Sequence, residues 1–262
     1  MQLSVRTRFL LWAYAALVLI FLVGPLFVVV PVSFSANEFA EFPPVSYSTQ
    51  WYGSYFHDPT WRDATIRSVK LGLTVTFVSL LCGGGVALAL ARFRIPFRGL
   101  IRVLAMTPLI VPTIIVALAV YSQYVDFHLV GSFWGLVAAH TILALPYVVL
   151  LLTNGLQQID EVYEEASSVM GAGRLTTLRR VVLPMLAPSF VAAAVFAFVT
   201  SWDEVVMVLF LGGRMTTLPL KMFTYLQTGV TPTIAAVSTM LIALVMVLFI
   251  ASTAWTRFRR TA

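Results

Sequence analysis

The charged residues of this 262-residue chain stand in short groups that are separated by long uncharged runs. Six runs lie between the following pairs of charged residues: Arg8 and Glu38, Lys70 and Arg92, Arg102 and Asp126, Asp126 and Asp160, Arg180 and Asp203, and Lys221 and Arg257. Each run can hold the roughly 20 apolar residues with which a helix crosses a bilayer. Lipid offers no partner to free backbone amides, and apolarity without alternation favours helices over the strands of a barrel.

We therefore expect an all-α membrane protein with six transmembrane helices. The predicted spans cover approximately residues 9–32, 71–91, 103–125, 130–152, 181–201 and 235–256. The first span follows Arg6 and Arg8, as the apolar core of a signal peptide would. Because a cleaved signal has an apolar core of only about 7–15 residues, we expect this longer span to be retained as an anchor.

The composition excludes an ordinary water-soluble domain. Sixty per cent of the residues are hydrophobic and 11% are charged, against roughly 45–50% and about 25% in soluble domains. The same values exclude disorder, and the single cysteine, Cys82, excludes a disulfide scaffold. The net charge of +6 comes from clusters between apolar runs, so we expect a lipid bilayer and no nucleic acid as partner.

The positive charges predict that both termini are cytoplasmic. If the N-terminus is inside, the inner segments carry 12 of the 17 lysine and arginine residues, which agrees with the positive-inside rule. The outer five are Arg62, Arg67, Lys70, Arg214 and Lys221. Along the outer segment before the second span, the pattern that begins at Thr60 and Asp63 predicts a helix lying on the membrane surface.

The sequence lacks the motifs of an ATPase or a metalloenzyme. No GxxxxGK[ST], HExxH, CxxC or GxSxG pattern is present, and His57, His128 and His140 are isolated. The predicted spans also contain no ionisable Asp, Glu, Lys or Arg, which disfavours an ion-coupled secondary carrier and a membrane-embedded enzyme. We expect a chain without enzymatic activity or cofactor, whose energy for transport comes from another subunit.

The predicted cytoplasmic loop at 160–180 has the pattern of a helix, a sharp turn and a second helix. Asp160 is a candidate N-cap, and the acidic residues after it suit the positive end of a helix dipole. Gly171 and Gly173 would end this helix, and a short basic helix would follow from Arg174 to Arg180. An apolar stripe consists of Val162, Ala166, Val169 and Met170. This pattern favours docking of a soluble partner. The alternative is a helix that lies on the inner leaflet, which the acidic residues in the first half of the loop disfavour.

The same loop resembles the EAA motif of membrane subunits of binding-protein-dependent ABC importers. That motif is Glu-Ala-Ala, three residues, Gly, nine residues and Ile-x-Leu-Pro. Here it is Glu165-Ala166-Ser167, three residues, Gly171, nine residues and Val181-Val182-Leu183-Pro184. Every spacing agrees, and the departures are Ser167 in place of Ala and Val181 in place of Ile.

This resemblance implies a type I ABC importer permease of the MetI-like fold in a bacterial inner membrane. It implies one permease domain over residues 1–262, with core spans at about 66–256. The partners would be a second permease subunit, a cytosolic ATPase dimer that binds ATP and Mg²⁺, and an external solute-binding protein. Arg174, Arg179 and Arg180 could contact the ATPase or anchor the loop to lipid. The implied ATPase-coupling residues are Glu164, Glu165, Ala166, Ser167, Met170, Gly171, Gly173, Leu183 and Pro184.

Four further segments are similar to the PotC-like, spermidine/putrescine branch of these permeases. They are residues 108–120, 201–211, 217–223 and 232–239. The branch implies a PotB-like companion, a PotA-like ATPase and uptake of a small cationic or amine-bearing solute, with polyamines favoured. It also contains permeases for opines, 4-aminobutyrate, aminophosphonates and iron, so these solutes remain alternatives.

Aromatic and acidic residues near the ends of spans three and five are candidates for the solute pathway. Such groups suit an ammonium cation through cation–π and ion-pair contacts. The alternative is a solvated loop or a contact with the binding protein. Pro108 and Pro112 would free carbonyl groups that can line a cavity. The candidate pathway residues are Tyr121, Tyr124, Asp126, Trp202, Asp203 and Glu204.

Overall fold

The computed structural model describes residues 5–229 and 231–261, and this part of the chain is almost entirely helical. The helices are α1 (Val5–Val32), α2 (Gln50–His57), α3 (Pro59–Arg92), α4 (Arg98–Met106), α5 (Thr113–Asp126), α6 (Phe133–Gln158), α7 (Val162–Val169), α8 (Arg174–Thr177), α9 (Leu183–Trp202), α10 (Val206–Leu211), α11 (Leu218–Thr228) and α12 (Pro232–Thr261). A 3₁₀ turn occupies Thr107–Leu109, and a π-helical turn occupies Leu178–Val182. The contacts divide the chain into one unit of residues 1–62 and 222–262 and another of residues 63–221.

The first unit consists of α1, α2 and α12 with the loop that joins α1 to α2. Helix α12 packs against both α1 and α2. The Trp51 indole donates a hydrogen bond to the carbonyl of Ser35 at 2.7 Å, and Tyr52 is hydrogen-bonded to Ser33 at the same distance. The amphipathic aromatic side chains of α2 therefore hold the start of this loop in place.

The second unit is built around α6, which packs along α9 and buries most of its own length. Small residues allow the helices to approach closely. A Cβ atom at Gly83 of α3 would lie 2.7 Å from Cγ1 of Val148 on α6, and one at Gly155 would overlap Ser189 on α9. The close approaches at these two glycines set how α3 and α9 pack on α6.

Four helical segments of the described residues are long and apolar enough to cross a membrane, and a bent pair makes a fifth. The four are residues 6–32, 59–92, 133–158 and 174–202. The apolar part of α12 that the structure describes, residues 232–247, is shorter. An all-helical membrane fold is thus observed, whereas the sixth span and the cytoplasmic position of both termini stay predictions.

The span predicted at 103–125 is not one continuous helix. Residues 98–109 and 113–126 form two helical segments whose axes differ by 104°. Pro112 has no N–H group to continue the helix, and its backbone is extended, with ψ at 131°. The chain therefore forms either a broken span or a re-entrant loop at this point.

The separate surface helix predicted before the second span is also wrong, because this segment is the first part of α3. The Asp58 carboxylate accepts the N–H of Thr60 at 2.8 Å and so begins the helix two residues earlier. No proline interrupts residues 60–92, so the helix continues into the apolar run. Helices α10 and α11 were not predicted, and with 6 and 11 residues they are too short to cross a membrane.

Candidate functional site

The helix, turn and second helix predicted at 160–180 are present as α7, a turn at Gly171 and α8. Gly171 has a φ of +83°, which is the left-handed region that only glycine adopts without strain. The N–H of Ala172 donates to the carbonyl of Ser167 at 3.1 Å and closes the end of α7. Gly173 has an extended backbone with a φ of −70°, so its conformation does not require glycine. We call residues 160–180 the hairpin.

Helix α7 begins one residue later than predicted. Glu161, not Asp160, occupies the N-cap position. The carboxylate of Asp160 nevertheless accepts the N–H of Val162 at 3.1 Å. Glu164 and Glu165 lie in the first turn of the helix, where their negative charges interact favourably with the helix dipole.

A hydrogen bond joins the two arms of the hairpin. The hydroxyl groups of Ser167 and Thr177 lie 2.9 Å apart, and both side chains are buried. Ser167 occupies the position at which the EAA motif has alanine, so this bond depends on a departure from the motif. No local sequence pattern indicates this bond, because its partner lies ten residues away on the second helix.

The outer face of the hairpin is apolar and exposed. The side chains of Val169 and Met170 are 87% and 82% exposed, and Ala166 and Glu165 are also exposed. Apolar side chains at the tip of a rigid hairpin are typical of an interaction surface. We call Glu165, Ala166, Val169 and Met170 the docking face.

The second arm of the hairpin runs directly into α9 through the π-helical turn. Leu183 is the first residue of α9, and Pro184 lies in its first turn, as predicted. Proline donates no backbone hydrogen bond, which is consistent with the widened turn immediately before it. Residues 174–202 thus form one continuous helical segment that joins the hairpin to a candidate span.

Sequence reasoning missed Arg92, whose side chain contacts the hairpin from the end of α3. Its Nε atom lies 2.7 Å from Oε1 of Glu164, and its Nη1 atom lies 3.6 Å from Oε1 of Glu161. Since the contact spans about seventy residues of sequence, no local pattern could have indicated it. A cavity of about 650 Å³ adjoins these groups.

A second cavity, of about 570 Å³, lies where the break between α4 and α5 meets the end of α9. Two of the predicted pathway residues, Asp203 and Glu204, line it. Tyr147 and Phe196, which were not predicted, also line it and stack with their ring centroids 5.8 Å apart. We call this space the break cavity.

Glu204 also has a structural contact, because its carboxylate accepts the N–H of Met207 at 2.9 Å and caps α10. Glu204 follows the end of α9. Burial raises the pKa of its carboxyl, and hydrogen bonds from the backbone of Met207 and Val206 partly offset this.

The other four predicted pathway residues lie outside the lining of the break cavity. Tyr124 donates to the carbonyl of Gly135 at 3.2 Å and lines a separate apolar cavity of about 430 Å³. Trp202 stacks on Phe198 with a centroid distance of 5.7 Å. Tyr121 and Asp126 are exposed on α5.

Most of the chain is similar to known membrane transport proteins. Residues 79–260 match the family model described as the inner membrane component of binding-protein-dependent transport systems. The spermidine/putrescine transport system permease protein PotC of Haemophilus influenzae is 31% identical over 252 residues, covering 95% of this chain and 97% of that protein. The putrescine transport system permease protein PotI of Escherichia coli K12 is 29% identical over 237 residues, which cover 86% of this chain and 83% of that protein.

One solved structure shares the fold over nearly the full length. It is the crystal structure of a bacterial ABC transporter involved in the import of the acidic polysaccharide alginate. The similarity has a TM-score of 0.74 at 17% identity and covers 97% of this chain and 99% of that one. At this identity the likeness shows the fold alone.

Proposed function

Because this chain belongs to the family of inner membrane components of binding-protein-dependent transport systems, we propose that it forms half of the translocation pathway of an ATP-driven importer. Its companion would be a second, PotB-like permease subunit. A PotA-like ATPase dimer would bind ATP and Mg²⁺, and an external binding protein would deliver the solute. The chain itself would bind no cofactor and hydrolyse no ATP.

The hairpin is the element that we propose to dock on the ATPase. The proposal is supported by the exposed docking face and by the agreement with the EAA motif at Glu165 and Gly171. An apolar helix face seated in a groove of a partner would bury Val169 and Met170. The direct connection to α9 would then carry movement of the ATPase into the membrane domain. Coupling roles for Glu164, Ser167, Gly173, Leu183 and Pro184 belong to the same proposal.

For the topology, we propose six spans within a single permease domain, 1–262, and both termini in the cytoplasm. The bent pair α4 and α5 would make the third span along the chain, and α12 would make the sixth. The distribution of 12 of the 17 basic residues on the inner segments supports this orientation.

A polyamine is the solute that the chain supports best. Two curated relatives are named as permeases for spermidine or putrescine. Asp203 and Glu204 share a cavity with the stacked rings of Tyr147 and Phe196, and carboxylates with aromatic faces suit an alkylammonium ion. The aromatic residues Tyr121, Tyr124 and Trp202 and the carboxylate Asp126 would then lie elsewhere along the path.

Reconstitution tests this function directly. Vesicles that contain the chain with its companion permease and ATPase should take up labelled spermidine or putrescine only when ATP and the binding protein are supplied. Vesicles that contain the chain alone should take up neither. Uptake by the chain alone would favour an ion-coupled carrier. ATP-driven uptake of 4-aminobutyrate, an opine, an aminophosphonate or iron in place of a polyamine would support the importer function and show that the solute is not a polyamine.

A further inference from the structure

Arg92 ends α3 and is bound to three points around the start of the hairpin. The ion pair with Glu164 reaches α7, and the longer pair with Glu161 reaches its N-cap. The third contact is a hydrogen bond of 2.8 Å from Nη2 to the carbonyl of Ile159, which caps the end of α6. One guanidinium group therefore joins the ends of α3 and α6 to the beginning of α7.

The burial of Arg92 distinguishes this contact from an ordinary surface ion pair. Its side chain is only 10% exposed, and that of Glu164 is 31% exposed. Exposed ion pairs contribute little because water and salt screen them. A charge removed from water interacts more strongly with its partner, and it becomes costly when that partner is lost. The arginine fork also fixes direction, because its separate N–H groups contact different elements.

The Arg92 contacts lie beside a cavity between the hairpin and the end of α3. Helix α7 packs against α8 and the π-helical turn. On the side towards α3 lies the cavity of about 650 Å³, which is lined by Leu88, Arg92 and Phe93 and by residues of the hairpin. Arg92 lines this cavity together with Glu161 and Glu164, so its polar contacts with the hairpin are made at the cavity wall.

Helix α3 is suited to transmit a displacement that reaches Arg92. It is 34 residues long and has no proline after Pro59, and at Gly83 it packs closely on Val148 of α6. We propose that Arg92 is a positioning residue that makes α3 move with the hairpin when the ATPase moves the hairpin. This inference rests on the proposed function, since it requires the hairpin to be the coupling element.

The test uses the complete transporter, reconstituted with companion permease, ATPase and binding protein. Arg92→Gln should leave the ATPase bound and still hydrolysing ATP, while solute uptake per ATP hydrolysed falls by about fivefold or more. Arg92→Lys keeps the charge but lacks the forked N–H groups of arginine, so its uptake per ATP should lie between that of Arg92→Gln and that of the unmodified protein. Arg94→Gln is the matched control, since Arg94 is exposed nearby on the same segment, and it should change nothing.

A charge exchange separates transmission from a general structural role. Arg92→Glu alone should uncouple uptake from hydrolysis, and the double variant Arg92→Glu/Glu164→Arg should recover a large part of the uptake per ATP. An unchanged ratio in Arg92→Gln with the complex assembled would overturn the inference. Loss of ATPase binding in Arg92→Gln would also overturn it, because the residue would then act in docking. Failure of the proposed function appears separately, as ATPase binding that is indifferent to changes in the docking face.

Discussion

The hydroxyl groups of Ser167 and Thr177 lie 2.9 Å apart and join the two arms of the hairpin in a buried hydrogen bond. A short hairpin has little core of its own, so a bond between its arms holds the docking face in a fixed orientation. In the proposed function, this rigidity would allow the hairpin to carry movement from the ATPase into α9.

Replacing one partner of this bond should loosen the hairpin. In Ser167→Ala the buried Thr177 hydroxyl loses its partner, which costs about 1–3 kcal/mol. The hairpin should then be cleaved faster by a protease added to the purified protein in detergent. The double variant Ser167→Ala/Thr177→Val removes both polar groups and should recover most of the resistance. Equal cleavage of all three proteins would show that the bond does not hold the arms together.

A charge on the docking face should weaken binding of the ATPase. Met170→Glu places a carboxylate where an apolar groove would receive the side chain, and the desolvation cost should lower co-purification of the ATPase by about tenfold or more. Val45→Glu is a control of similar exposure in the loop between α1 and α2, which the proposed topology places outside. It should leave co-purification unchanged. Normal recovery of the ATPase with Met170→Glu would show that the docking face is not part of the ATPase interface.

The carboxylates of the break cavity should determine the affinity for a cationic solute. Asp203→Asn and Glu204→Gln should each raise the KM for polyamine uptake by about tenfold, which corresponds to about 1.4 kcal/mol. Glutamine keeps an oxygen that can accept the N–H of Met207, so Glu204→Gln tests the charge and preserves the cap of α10. Glu38→Gln, exposed in the loop between α1 and α2, is the control and should leave the KM unchanged. Unchanged KM values with weaker stimulation by the binding protein would indicate a docking role instead.

Close helix packing predicts opposite outcomes for two glycines on α3. Gly83→Ala would bring a Cβ atom to 2.7 Å from Val148, and valine, being β-branched, cannot turn aside easily. We expect a loss of about 1–3 kcal/mol in stability. Gly85→Ala meets open space and should be neutral or slightly stabilising. Thermal unfolding in detergent compares the two, and equal midpoints would contradict the packing of α3 on α6.

The sequence predicts the helical membrane fold because charge-free runs leave few alternatives in lipid. It also predicts the hairpin, since the turn at Gly171 requires a residue that tolerates a positive φ. It fails where tertiary contacts decide the outcome. The 104° bend at the break follows from prolines whose effect on direction depends on neighbouring helices. Arg92 and Tyr147 reach their sites from distant segments, so no local spacing could identify them.

If an ATPase subunit covers the tip of the hairpin, as we propose, a cysteine placed at the tip should cross-link to the ATPase. Cys82 is the single cysteine of the chain, so Cys82→Ser gives a background for Met170→Cys. In the assembled transporter, a short bifunctional thiol-to-amine reagent should join Met170→Cys to the ATPase, with a yield that changes when ATP is added. Val45→Cys should give no such product. If Met170→Cys stays unlinked to the ATPase in every nucleotide state while the complex remains assembled, the account of the hairpin is contradicted.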